Sequence, residues 1–213
     1  LKQALEMARA YKHIPVVPEL PRIKDRDHKP HLFLSPEQSE QLLAALKPLE
    51  EQPFEVTRGR PPIRRDALAY LSVLMALNTG MRKGEILSRQ WSDVRWKQGR
   101  LGAIVVNNKP QIGFKVKMGR ERVIPLTPDL RAALKQAHAE AGQPSGGWVF
   151  PSPTNPKKPR RDFRTALKAA CRRAGLPPIH PHGLRHTWAT RLAMAGVDLS
   201  LIHISEPTRP DYI

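Results

Sequence analysis

Between Ala67 and Leu77 the chain reads ALAYLSVLMAL, an apolar face that is nearly continuous around a helix, and it stops at Asn78-Thr79-Gly80, where the glycine is the expected C-terminal signal. A helix of this kind belongs in a core, because its whole circumference has to be covered by other elements. The elements available to cover it are mostly helical. Ser35-Pro36-Glu37-Gln38 ahead of QSEQLLAAL supplies an N-cap, a first-turn proline and a Gln at the capping-box position. Thr127-Pro128-Asp129 caps a helix over LRAALKQAHAEAG, and two further helices are expected over about 160–174 and 182–195. From Val94 to Leu126 the pattern changes to short β-rich runs, VRW, LGAIVV, IGFKV and RVIPL, separated by KQGR, NNKP and KMGR, which predicts a small antiparallel sheet. The expected fold class is α+β, mostly helical.

At 213 residues the chain has room for one domain with a real core, or one domain plus a small appendage, and not for two full domains. Residues 1–12 (LKQALEMARAYK) place Leu1, Leu5 and Ala8 at helical spacing and read as the end of a helix begun upstream; the chain opens on Leu, so its N-terminus is expected further back. Residues 13–34 are linker chemistry, with four prolines and many charges in HIPVVPELPRIKDRDHKPH. A compact domain is expected over 35–199.

Lys and Arg number 36 against 19 Asp and Glu, a formal charge of +17, which points to a polyanionic partner and to nucleic acid first. A ribosomal or merely solvated basic surface is the alternative, but 40% hydrophobic residues argue for a folded core rather than a basic tail. The single cysteine, Cys171, excludes an internal disulfide framework and a multi-thiolate metal site; its helical neighbours RTALKAACRRAG suit a buried core thiol. No run approaches the 18 apolar residues of a membrane span.

Three segments could carry chemistry. In Asn78-Thr79-Gly80-Met81-Arg82-Lys83-Gly84-Glu85, Arg82 follows a helix-ending glycine at the start of a new helix, where free amides and a guanidinium can bind an anion together, and Glu85 can hold Arg82 from the same face. In His180-Pro181-His182-Gly183-Leu184-Arg185-His186, His182 and Arg185 lie three apart at a helix start and project from one face; His180 is assigned to the loop and His186 to the back of the helix. No Asp, Glu or Cys lies nearby to complete a metal site. Between them, Phe114-Lys115-Val116-Lys117-Met118-Gly119-Arg120 offers a turn lysine, Lys115 or Lys117, able to serve as a phosphate contact or as the acid for an alkoxide leaving group.

In this order, TGMRKGEIL, K-x-G-x-x-R-x-I-P-L and HGLRHTWAT resemble the ordered boxes of the tyrosine recombinase and phage integrase family, and the helix, Pro-rich linker and LSPEQSEQLLAAL resemble that family's passage from core-binding to catalytic domain. The resemblance covers about residues 1–199. It implies an integrase-type catalytic domain with a small antiparallel three-stranded sheet, preceded by the last helix of a core-binding domain. It implies further that Arg82 and Arg185 clamp a phosphate, that Lys117 rather than Lys115 protonates a departing 5′-oxygen, that His182 assists proton movement and that Glu85 supports Arg82. The implied activity is site-specific strand cleavage and rejoining through a 3′-phosphotyrosyl link, without metal or nucleotide cofactor. The implied partner is double-stranded DNA, held by a homo-tetramer on paired sites, in a bacterial or phage-encoded cytoplasmic protein with no membrane association. A non-catalytic basic DNA-binding module, a decayed integrase, is the competing reading.

The chain departs from the family at its end. The family places its tyrosine nucleophile about 32 residues after the second arginine, beyond residue 213 here, and Tyr212 comes about five residues early in a stretch where Pro207 and Pro210 oppose a helix. The tail SLIHISEPTRPDYI, residues 200–213, resembles a translated sequencing adapter. The nucleophile is therefore expected to be absent and the chain as given inactive in cleavage. Tyr11 and Tyr70 are expected to be structural.

Overall fold

The computed structural model describes residues 2–16, 33–47, 67–116 and 121–197. The chain divides into two compact units, Leu1–His31 and Leu32–Ile213. The first contains α1 (Lys2–Ala10), after which Lys12 takes a left-handed backbone at φ 59°.

The second unit opens on α2 (Pro36–Leu46), whose start the sequence dictates. Ser35 Oγ accepts from the Gln38 N–H at 3.2 Å while Gln38 Oε1 accepts from the Ser35 N–H at 2.9 Å, so the capping box closes in both directions. Helix α3 (Ala67–Thr79) is the buried axis: nine of its residues, including Ser72 and Thr79, are shielded from solvent, and α2, α4, α5, α6 and α7 all pack on it. The two hydroxyls stay within the helix, Ser72 Oγ donating to the Leu68 carbonyl at 2.7 Å and Thr79 Oγ1 to that of Met75 at 2.6 Å. Burial therefore leaves neither without a bond. Around α3 follow α4 (Lys83–Leu87), α5 (Pro128–Glu140), α6 (Arg164–Arg173) and α7 (Pro181–Met194). Leu42, Val73, Met75, Ile86, Leu130, Leu134, Leu167 and Leu184 are fully enclosed between them, and Cys171 lies in the same core as a free thiol.

A three-stranded antiparallel sheet in the order β1 (Val94–Arg95), β2 (Ala103–Val106), β3 (Arg122–Pro125) covers one side. Its register pairs Val94 with Ile104, Ile104 with Ile124 and Val106 with Arg122. The run Ile112–Val116, expected as a strand, is not one. Pro110–Ile112 forms a 3-10 turn, Gly113 reverses the chain at φ 67°, and Lys109 and Phe114 satisfy each other's backbone groups at 2.9 and 3.0 Å. Proline and left-handed glycine three residues apart favour that closed loop over a ladder. Helix α6 likewise starts later than 160, because Asp162 Oδ1 accepts from the backbone of Phe163 and Arg164 at 2.9 and 3.0 Å and sets the first turn there.

The glycine at position 80 is obligatory. Gly80 ends α3 at φ 60°, and a Cβ there would overlap the Trp188 indole of α7. Gly80→Ala adds left-handed backbone strain to overpacking, and is expected to lower stability by about 2–4 kcal/mol. Urea unfolding at constant m-value measures it; an unchanged midpoint would contradict the packing of Trp188 on this turn.

Candidate active site

Three elements meet at the turn after α3. Gly80 and Met81 lead into Arg82, which caps α4 with an extended backbone; its N–H donates to Glu85 Oε2 at 2.8 Å and its guanidinium lies 3.7 Å from Glu85 Oε1. From α7, 105 residues away in sequence, buried Arg185 donates through one terminal nitrogen to the Gly80 carbonyl. The two guanidinium side chains are thereby brought to one turn. Helix α7 is also tied to the start of α2: the Leu34 N–H donates to Thr187 Oγ1 at 3.0 Å, and Arg191 donates to Ser39 Oγ at 2.6 Å and to the Ser35 carbonyl at 3.1 Å.

His182 stands exposed one turn before Arg185 on α7. Its ring lies edge-on to that of half-buried His186, with centroids 4.3 Å apart. His186 is therefore on the His182 side of the helix and not at its back, as four-residue spacing in a helix requires. His180 is the exposed N-cap of α7. Lys115 is exposed at the end of the Gly113 loop, whereas Lys117 and Tyr212 lie outside the described residues. Tyr70 sits half-buried on α3, where burial and then the Asp129 charge push its phenol above the ordinary range, opposite to the activation a nucleophile needs.

Glu85 is 2% exposed and has a second cation that the sequence reading does not single out. Arg122, the first residue of β3, donates to Glu85 Oε2 at 2.6 Å. Burial alone would raise the carboxyl pKa, but the Arg122 and Arg82 hydrogen bonds with both guanidinium charges outweigh it, and Glu85 is held below the usual carboxylate range. In sequence Arg122 is the R of the R-x-I-P-L run, part of the resemblance but given no role there; on β3 it and Ile124 are half-buried against exposed Val123 and Pro125.

A deeper network has no sequence signature. Arg89, wholly buried just after α4, gives Nε to the Glu85 carbonyl at 2.8 Å and its terminal nitrogens to Val105 O at 2.6 Å and to Asn107 Oδ1 and O, both at 3.3 Å. Asp93 sits 3.2 Å from Arg89 and accepts from Lys109 Nζ at 2.7 Å, and Lys109 also donates to Gln90 Oε1 at 3.0 Å. Arg89 and Arg122 thus bolt α4, and the Arg82 turn with it, to the end of β2 and the start of β3. The buried charges are paired and bonded, the condition for tolerating them in a core.

Beside the turn lies a strongly basic surface loop. Lys157, Lys158, Arg161 and Arg164 are exposed on it, and Asp162 ties it to the site by pairing with Arg164 and, at 3.6 Å, with Lys83.

Residues 33–204 match the model of the phage integrase family. The chain belongs to that family. A tyrosine recombinase XerD of Proteus mirabilis is 32% identical over 192 residues, 88% of this chain and 52% of that protein. The integrase of Salmonella phage P22 is 31% identical over 143 residues, 61% of this chain and 33% of its own length. The chain spans about half or less of these curated relatives. Among solved structures, the fold matches the Tn1549 transposon integrase in complex with transposon right-end DNA, with a TM-score of 0.67 at 20% identity over 98% of this chain and 69% of the other, and the XerA recombinase, with 0.61 at 21% over 94% and 63%. The α+β fold, mostly helical with a small three-stranded antiparallel sheet, is the integrase catalytic fold.

Proposed function

We propose that this chain supplies the catalytic platform of a tyrosine site-specific recombinase acting on double-stranded DNA. The observation that carries the reading is the convergence of Arg185 on the Gly80 carbonyl beside Arg82, which puts two fixed guanidinium groups from distant segments at one helix-capping turn. A phosphodiester bound there would meet guanidinium donors from both residues, the Arg82 side chain being partly exposed and Arg185 also holding the Gly80 carbonyl.

In the proposed reaction a tyrosine hydroxyl attacks phosphorus, the bond to the 5′-oxygen breaks, and the products are a 3′-phosphotyrosyl link and a free 5′-hydroxyl. The phosphotyrosyl bond conserves the energy needed for rejoining, so no nucleotide is consumed. Arg82 and Arg185 stabilise the charge that grows on the non-bridging oxygens, a preorganised field that costs no reorganisation during the step. Lys117 is assigned to protonate the leaving oxygen and His182 to assist proton movement. Family resemblance supports a homo-tetramer on two duplexes as the working assembly, and among the described residues no helix is long and apolar enough to cross a membrane.

The basic loop at 157–164 extends the site into a face for backbone phosphates. DNA affinity of this chain is expected to fall at least about 100-fold between about 50 and 200 mM salt, as counterions are released. Lys158→Ala should reduce the log–log salt slope by about 1 with no change in sequence preference. Fluorescence-anisotropy titrations at four salt concentrations decide it; a salt-independent binding constant would refute a phosphate-binding face.

A further inference from the structure

The clamp has a built-in competitor. Glu85 is the buried carboxylate beside Arg82, and it needs a cation: its side chain is 3% exposed, against 28% for that of Arg82 and 24% for that of Arg122. Three arginines surround it. Arg89, next to it on the carboxyl side of α4, bonds the Glu85 backbone carbonyl rather than the carboxylate. Arg122 takes Oε2 at 2.6 Å, an oxygen that also accepts the Arg82 N–H, and the Arg82 guanidinium is left 3.7 Å from Oε1, within ion-pair range but beyond a hydrogen bond. Without Arg122 the buried charge would have Arg82 as its nearest remaining guanidinium. Electrostatics would then draw Arg82 into a direct pair and commit its donors to Glu85, because an uncompensated buried carboxylate is far costlier than a displaced side chain.

We propose that Arg122 is a positioning residue of the phosphate clamp: by occupying Glu85 it keeps the Arg82 guanidinium directed at the phosphodiester. The proposal rests on the reading of Arg82 as a clamp residue. It differs from a role for Arg122 as a DNA contact, which would not depend on Glu85 at all.

That dependence is measurable in the whole protein, by single-turnover trapping of the covalent adduct on a nicked suicide duplex, with DNA affinity measured in parallel. Arg122→Ala is expected to slow adduct formation about 30–100-fold while Kd moves less than about threefold, since misaiming one clamp group costs rate rather than binding. Arg122→Lys, which still neutralises Glu85, should stay within about fivefold of the parent. In Glu85→Gln/Arg122→Ala no carboxylate remains to capture Arg82, so the double variant should react at the Glu85→Gln rate or faster, a strong positive coupling between neighbours. That variant also carries no unpaired buried charge and decides the matter if Arg122→Ala fails to fold. A double variant more than about tenfold slower than Glu85→Gln, or a fast Arg122→Ala, would overturn the proposal. Arg82→Ala, run alongside, separates the two failures. If it is slow while Arg122→Ala is fast, only the positioning role falls; if it is as fast as the parent, the clamp reading falls and this role with it.

Discussion

Replacing Arg185 with Ala is expected to reduce the rate of covalent adduct formation by about 10³-fold, the largest catalytic effect of any single change in the described part of the site. Two losses combine. The phosphate loses a preorganised donor, and the Gly80 carbonyl loses the bond that sets the turn carrying Arg82. Because Arg185 is 3% exposed, its contribution to the encounter with DNA is small, and affinity should drop by less than about tenfold. Arg185→Lys should recover little of the rate, since a point-charge ammonium cannot replace a planar fork that spans carbonyl and phosphate. Adduct trapping beside anisotropy on the same preparations separates the two quantities. A variant that traps DNA within about fivefold of the parent rate would remove Arg185 from the clamp.

The largest effect on stability is expected from Asp93→Ala. This carboxylate is 3% exposed and neutralises both Arg89, fully buried, and Lys109, 5% exposed, so its removal strands two cations in the core. The expected cost is about 3–5 kcal/mol, which for a domain of this size is about 6–20 °C in Tm. Burial already pulls the Arg89 pKa down against the opposing pull of Asp93 and Glu85, which shows how much that guanidinium depends on its partners. Calorimetry on the 213-residue chain measures the loss. A shift below about 2 °C would mean that the network is solvated rather than enclosed.

What could be read from sequence and what could not divide along a physical line. Local rules located α2, α3 and α5, because a capping box, an all-apolar stretch and a Thr-Pro-Asp cap are each written within a few adjacent residues. The same locality revealed the Arg82 turn and the His182-x-x-Arg185 pair. Arg89, Asp93 and Lys109 escaped because charge in a sequence suggests solvent, and only tertiary pairing shows these three to be internal struts; Arg122 was in view as the R of the R-x-I-P-L run, but its pairing with Glu85 was not. The Ile112–Val116 run misled for the complementary reason. Its β-forming residues are real, but Pro110 and Gly113 close a loop that leaves no edge for a ladder. His186 was misplaced by one face of a helix, an error its 4.3 Å contact with His182 corrects.

A buried helix ends at a glycine against which the Trp188 indole packs and to whose carbonyl Arg185 donates, and the turn so formed presents Arg82 from a helix start braced by Glu85, Arg122 and Arg89. On the proposed function, this turn holds a scissile phosphate for attack by tyrosine. A direct test is to incubate the whole protein with a nicked suicide duplex labelled at the scissile phosphate or on its 5′ side, and to digest any adduct to a labelled peptide. A metal-independent 3′-phosphotyrosyl peptide that disappears in both Arg82→Ala and Arg185→Ala is the expected result. A protein that binds the duplex but yields no such peptide, or one whose adduct survives loss of both arginines, would contradict it.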